Sequence, residues 1–393
     1  MLAVNYGGID RQFTLDGVHH DTPAGVAHFL EHKMFDTPDG GNALTALSAR
    51  GASPNAFTAT DTTAYYFSCT NHFAENLQTL LEFVSVPYFT EESVDREQGI
   101  ITQEIRMGED EPNRALYYGM LEAVYPNHPI RHRIIGTAKS IGEITPDTLY
   151  ACHRAFYRPS NMVLCCVGDI DPQEVTAIAQ QVLPTEYQAP PQLLRTPGTA
   201  EAPIQPQIRR QMAVAAPLFM VGIAIPPAKS GEAQLRQRLV GELSLRCLAG
   251  SSSSFYTKLY AQGLLTRNYG CDLDYSAGTA TAVFFGESKD PEAVKAALVA
   301  EISKVCESGL ESGLFKRMKK AYYGTELRGL GHFDGMARVL AEGHFNSWCS
   351  LDAFAMLESV EAKDCVEFIR QHLLPGHMAM SVVAPGMENQ GNE

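Results

Sequence analysis

Along the first 170 residues, short apolar runs that predict strands alternate with stretches whose apolar positions recur at helical spacing. "TAYYFSCT" (63–70) is aromatic and β-branched and predicts a strand. "AENLQTLLEFV" (74–84) carries apolar residues at helical spacing, and "EESVDREQGIITQEIRMGE" (91–109) predicts a long helix. Thr90 is placed to cap that helix, with Glu91 and Glu92 favourable in its first turn. Thr22-Pro23 is a helix-start signal, so a helix is expected from Gly25 through Phe35. "SNMVLCCVGDI" (160–170) predicts a buried strand.

The pattern then breaks. Residues 186–207 are rich in Pro and Ala with no apolar period and predict a linker. Strand and helix signals resume in "FMVGIAI" (219–225), "QLRQRLVGELSLRCLAG" (234–250), "TATAVFFGES" (279–288) and "PEAVKAALVAEISKVCESG" (291–309). The polar tail after Met387 is expected to fray. A weak repeat links the halves: Pro159 stands three residues before Met162, and Pro375 three before Met378, each Met opening an apolar strand after a helical stretch. The expected organisation is α+β, two homologous domains at 1–185 and 208–393 joined by the linker, each a mostly antiparallel sheet packed by helices.

Composition narrows the class. A chain of 393 residues exceeds what one core usually organises. No apolar run approaches the ~18 residues of a membrane span, and "MLAVNYGGIDRQF" is not a secretory signal. The net charge of −14 argues against a nucleic-acid partner. Nine cysteines, an odd number without a Cys-x-x-Cys spacing, fit a reducing cytoplasm, with no disulfide framework or zinc finger. There is no Gly-x-Gly-x-x-Gly after a strand and no phosphate-binding loop pattern, so a nucleotide-binding enzyme finds no support.

The candidate chemistry lies in "AHFLEHKMF" (27–35). On a helix, His28 and His32 at i and i+4 share a face, so both imidazoles can reach one ion at about 2.0–2.1 Å. Glu31 between them can take a proton from a water without ligating. An amphipathic helix with satisfied histidines explains one His. It explains poorly two His and a Glu amid Val26, Ala27, Phe29, Leu30, Met34 and Phe35, because burying ionisable groups costs several kcal/mol unless they are paired or metal-bound. Catalytic zinc sites usually take three protein ligands. Glu97 and Glu104, seven residues apart and so on one helical face, are the candidates. A solvated acidic stripe is the plain alternative, and it suits Glu91, Glu92 and Glu109. Ile100, Ile101 and Ile105 argue for partial burial around Glu104.

His-x-x-Glu-His followed some 70 residues later by Glu-x6-Glu on a helix resembles the pitrilysin/insulysin/mitochondrial-processing-peptidase family, the inverzincins. "GASPNAFTATDTTAYYF" (51–67), "YPNHP" (125–129) and "FYRPSNM" (156–162) also match. The likeness spans residues 24 to about 170 and is nearest to the bacterial YmfH-type group on "AHFLEHKMF", "PYFTEESVDREQGII" and "FYRPSNM". The resemblance implies a zinc metalloendopeptidase of the LuxS/peptidase-like α/β roll. It makes His28, His32 and Glu104 the zinc ligands, Glu31 the general base, and Glu97 a carboxylate that orients the site. It makes Asn55, Ala56 and Phe57 part of a strand offered to an extended peptide, bound by β-augmentation.

Two departures qualify the likeness. Family members that work alone carry an Arg and a Tyr seven residues apart in a later domain. In "SSSSFYTKLYAQGLLTRNYG" (251–270), Lys258, Leu259 and Tyr260 stand where the Arg is expected, and no Arg-x6-Tyr pair fits. Tyr260, Arg267 and Tyr269 lie where substitutes would be sought, but a structural role explains each of them better. The second half has no His-x-x-Glu-His, and His332, His344, His372 and His377 lack ligand spacing. The expected assembly is a heterodimer with a related chain that carries the Arg/Tyr pair, or a homodimer, closing a chamber around a peptide substrate. The rival is a non-catalytic or accessory subunit that binds peptides. The second departure is at the start, where one or two strands' worth of sequence usual in the family is missing ahead of "AVNYGGID", which would leave an exposed sheet edge.

Overall fold

The computed structural model describes residues 1–183, 192–196 and 205–386. Parts of the expected linker and the tail after Met387 lie outside the described residues. The chain forms two compact units, one of residues 1–107, 132–198 and 330–345, the other of 108–131, 199–329 and 346–393.

The first unit carries strands β1 (Leu2–Val4), β2 (Gln12–Leu15), β3 (Val18–Asp21), β4 (Ser53–Thr58), β5 (Thr63–Ser68), β6 (Met162–Leu164) and β7 (Leu193–Arg195). Four of them form an antiparallel sheet in the order β4-β5-β1-β6. Both faces of this sheet are covered, which is why β1 is buried at every residue. Leu2, Val4 and Tyr65 point into the main core with Phe29 and Leu30. Ala3 and Ala64 point to the other side, where Ala337 and Ala341 of the helix Phe333–Phe345 pack on them. Small residues on that face let the helix approach closely.

The strand expected over 160–170 is shorter and half-buried. Met162–Leu164 pair with β1, and Cys165 extends the contact by exchanging main-chain hydrogen bonds with Met1 at 2.8 and 2.9 Å. Part of the expected linker is structured: β7 pairs with β2 through Phe13↔Arg195, and Arg195 bonds Asp10 at 2.9 Å. Pairing with an existing edge needs no apolar period in β7 itself, so the periodicity did not show it.

The second unit holds β8 (Gln207–Met212), β9 (Leu218–Ile225), β10 (Gly270–Ser276), β11 (Thr279–Glu287) and β12 (Met378–Pro385) in the order β10-β11-β9-β12-β8. All pairs are antiparallel except β12 with β8. "FMVGIAI" is a continuous apolar run because β9 is covered on both faces. Phe219, Val221 and Ile223 meet the helices Glu232–Ala249, Pro291–Ser308 and Ala362–His372. On the other face Gly222 admits the helix Pro112–Val124, where a Cβ would lie 2.4 Å from Met120 Sδ. The repeat has a structural counterpart. Pro159 and Pro375 each open a 3-10 turn that delivers the chain from a helix into an apolar strand, β6 or β12.

Candidate metal centre

The motif helix runs Val26–Lys33, shorter than Gly25–Phe35, and Thr22 does not cap it. The Thr22 hydroxyl and N–H both donate to Arg11 O, at 3.0 and 2.9 Å, closing the β2–β3 hairpin instead. Gly25 occupies the N-cap with φ 99°, and a Cβ there would lie 2.6 Å from Ile141 Cδ1 and 2.7 Å from Ile135 O. A left-handed backbone in so tight a place requires glycine. The helix buries Val26, Ala27, Phe29 and Leu30 in the core. The opposite face presents His28 and His32, ring centroids 4.6 Å apart. Lys33 is fully buried, its ammonium held by Asp36 and, at 3.3 Å, by Ser93 O.

The second helix, Glu91–Glu109, begins as read. Ser93 N–H donates to the Thr90 hydroxyl and Thr90 N–H to the Ser93 hydroxyl, both at 3.2 Å. Its buried stripe is Val94, Ile101 and Ile105, while Ile100 is exposed. Glu97 and Glu104 share the face beside the histidines. Glu104 Oε1 lies 3.9 Å from His28 Nε2, and its Oε2 lies 3.9 Å from His32 Nε2. Donor atoms of His28, His32 and Glu104 all fall within 4.8 Å of one another. A tetrahedron built on bonds of about 2.0–2.1 Å has edges of about 3.3 Å, so small side-chain rotations bring this set onto one ion. Two imidazole nitrogens and one carboxylate are a zinc-type donor set with a fourth position to spare.

Glu97 Oε1 is 2.9 Å from His32 Nδ1. As the acceptor of an Nδ1–H, it leaves the lone pair on Nε2, the nitrogen nearer Glu104. Burial pulls the His32 pKa down, but the Glu97 hydrogen bond and surrounding carboxylates push harder, and the net shift is upward. Burial raises Glu97, and the bond to His32 outweighs it, so Glu97 is held below the usual range. Burial raises Glu31 above the usual carboxylate range, opposed by a hydrogen bond from Thr58 and by His32. The Thr58 hydroxyl donates to Glu31 Oε2 at 2.6 Å.

Asn55, Ala56 and Phe57 lie on β4, which among the described residues pairs only with β5. Ala56 faces the main core, on the side from which Thr58 reaches Glu31. Asn55 Oδ1 accepts the Ala56 N–H at 2.8 Å. Phe57 turns to the other face, stacking edge-on with Tyr66. Sequence reasoning missed Thr58. It lies inside the quoted strand, and alternation places it beside Ala56, but nothing local says that this face meets Glu31.

In the second unit Ser253 caps the helix Ser254–Ala261, accepting the Tyr256 N–H at 3.1 Å. Tyr256 stacks on Tyr260 and on Tyr269, each at 5.6 Å. Tyr260 is exposed, whereas Tyr269 is buried.

The model of the insulinase family, peptidase family M16, matches residues 16–138, and that of the peptidase M16 inactive domain matches 143–322. An uncharacterized zinc protease, YmfH of Bacillus subtilis, is 34% identical over 393 residues, covering 98% of this chain and 91% of the relative. The chain belongs to peptidase family M16. An uncharacterized zinc protease of Streptomyces coelicolor is 24% identical over 96% of this chain and 84% of its own. Among solved M16 structures, a putative M16-like peptidase from Alicyclobacillus acidocaldarius superposes with TM-score 0.92 at 31% identity, covering 98% of this chain and 92% of that one. Pitrilysin shares the fold at TM-score 0.74 and 17% identity, over 98% of this chain and 42% of its own. The two-domain α+β architecture is that of M16 peptidases. No helix among the described residues is long and apolar enough to cross a membrane.

Proposed function

We propose that this M16 chain is a zinc-dependent endopeptidase or oligopeptidase that hydrolyses peptide bonds of peptides or unfolded segments. The observation that carries the reading is the convergence of His28, His32 and Glu104 beside a buried Glu31. His28, His32 and Glu104 would hold the ion, and Glu97 would fix the His32 tautomer. Zinc, when bound, acidifies water and polarises a carbonyl. Glu31 acts as general base on the attacking water and returns the proton to the leaving amine. Its raised pKa suits that double role, and the Thr58 hydroxyl holds the carboxylate in one orientation. Asn55, Ala56 and Phe57 on the open edge of β4 would receive the peptide as an added strand.

The absent Arg/Tyr pair supports assembly with a related chain that supplies it, closing a chamber, with a homodimer as the other assembly. The same absence favours a second reading, an accessory peptide-binding subunit. Glu31 counts against that, since a scaffold needs no general base. Nine free cysteines support a reducing, cytoplasmic setting.

The test is cleavage of a mixed quenched-fluorescent peptide set by the zinc-loaded full chain, with Glu31→Gln as control. Cleavage abolished by the substitution supports a self-sufficient enzyme. No cleavage from a folded, zinc-loaded chain, restored by adding a family chain with the Arg/Tyr pair, supports the split enzyme. No cleavage in either case favours the accessory reading.

A further inference from the structure

The helix Phe333–Phe345 comes from the far end of the sequence, yet it lies in the first unit against the sheet that bears β4. From it Arg338 extends over the Phe57 ring, its guanidinium carbon 3.9 Å from the centroid. Tyr66 closes the ring's flank at 6.3 Å and 64°. Arg338 is exposed, and among the described residues it makes no ion pair. Asp334 and Glu342 are the acidic residues one turn away on its own helix. In a chain of net charge −14, this is an uncommitted cation beside the open edge strand.

The register of β4 says which substrate position it would meet. Pro54 has no N–H, and the Ala56 N–H is taken by the Asn55 side chain instead of by β5. Ala59 N–H donates to Thr62 O across the turn, which gives the odd-numbered residues the inward-bonding parity. The main-chain groups of 54, 56 and 58 therefore point outward, to the open edge. A peptide added antiparallel there would bond to the carbonyls of those residues and to the Thr58 N–H. Its residue opposite Phe57 would form a non-hydrogen-bonded pair, Cα atoms about 4.5 Å apart, with its side chain on the Phe57 face. That side chain would lie beside the Arg338 guanidinium.

We propose that Arg338 determines specificity, selecting an acidic side chain in the peptide strand docked on β4 opposite Phe57. The proposal rests on the peptidase reading and deepens it. The ring packing orients the guanidinium and leaves its N–H edge available to a carboxylate.

The experiment uses the full chain carrying Glu31→Gln, which blocks turnover, and fluorescein-labelled degenerate decapeptides with Glu or Gln fixed at each position in turn. Binding is read by fluorescence polarisation. At one position Glu peptides are expected to bind about three- to fivefold tighter than Gln peptides, the size of a partly exposed pair, and added salt should erode the difference. Adding Arg338→Gln should abolish the ratio, and Arg338→Lys should keep part of it. An unchanged ratio in Arg338→Gln, or no Glu preference in its parent, would overturn the proposal. Cleavage by the wild-type chain of peptides that show no acidic preference would overturn Arg338 alone and leave the peptidase reading standing. Binding of none of the peptides would overturn both.

Discussion

The Thr58 hydroxyl donates to Glu31 Oε2 at 2.6 Å, joining the edge strand to the motif helix across 27 residues of sequence. The bond holds a buried carboxylate whose pKa burial has raised. Thr58→Val keeps the shape and removes the donor. A hydrogen bond to a charged group contributes about 1.5–3 kcal/mol, so kcat on a cleaved peptide is expected to fall about tenfold or more. Zinc content by atomic absorption should not change, and Thr58→Ser should recover most of the rate.

Glu97 Oε1 lies 2.9 Å from His32 Nδ1, where it would orient the ring for the proposed zinc. Glu97→Ala should weaken zinc binding about 10–100-fold, as loss of a ligand-orienting carboxylate typically does. Competition with a chromogenic chelator measures it. Excess zinc should restore most of the activity, whereas it should restore none to Glu31→Gln.

Gly25 starts the motif helix at φ 99° with no room for a Cβ. Gly25→Ala should cost about 2 kcal/mol or more. The expected result is a Tm lowered by several degrees, together with weaker zinc binding because the histidines ride on this helix.

Glu242 provides a pH test away from the candidate metal centre. It is mostly buried, and its pKa is pushed up to about 8 by burial and by the neighbouring Asp272, against the Leu273 N–H and Arg246. Its carboxylate accepts the Leu273 N–H at 2.8 Å. An acid whose folded pKa exceeds its unfolded value contributes most below about pH 4.5, and that contribution is lost as pH rises to about 8. Urea unfolding of the wild type should therefore show stability declining over that window. Glu242→Gln keeps an acceptor and loses the charge. It should match the wild type near pH 5 and exceed it by a few kcal/mol at pH 8.

The sequence by itself determined whatever depends on neighbours along one element. His28, Glu31 and His32 lie within two turns of one helix, so helical spacing alone puts both imidazoles on one face. Glu97 and Glu104 share a face for the same reason, and Thr90 caps their helix because capping spans three residues. The continuous run in β9 and the aromatic and β-branched residues of β5 showed the strands. Tertiary structure alone decided what reaches across elements. Thr58 meets Glu31 because β4 lies along the motif helix. Arg338 meets Phe57 because a helix from near the end of the sequence covers the first sheet. Leu193–Arg195 becomes a strand because β2 offers an edge. Thr22 is diverted from capping by Arg11 O, a partner that exists only once the hairpin has formed. Periodicity records which face of an element is buried, and it carries no information about which other element buries it.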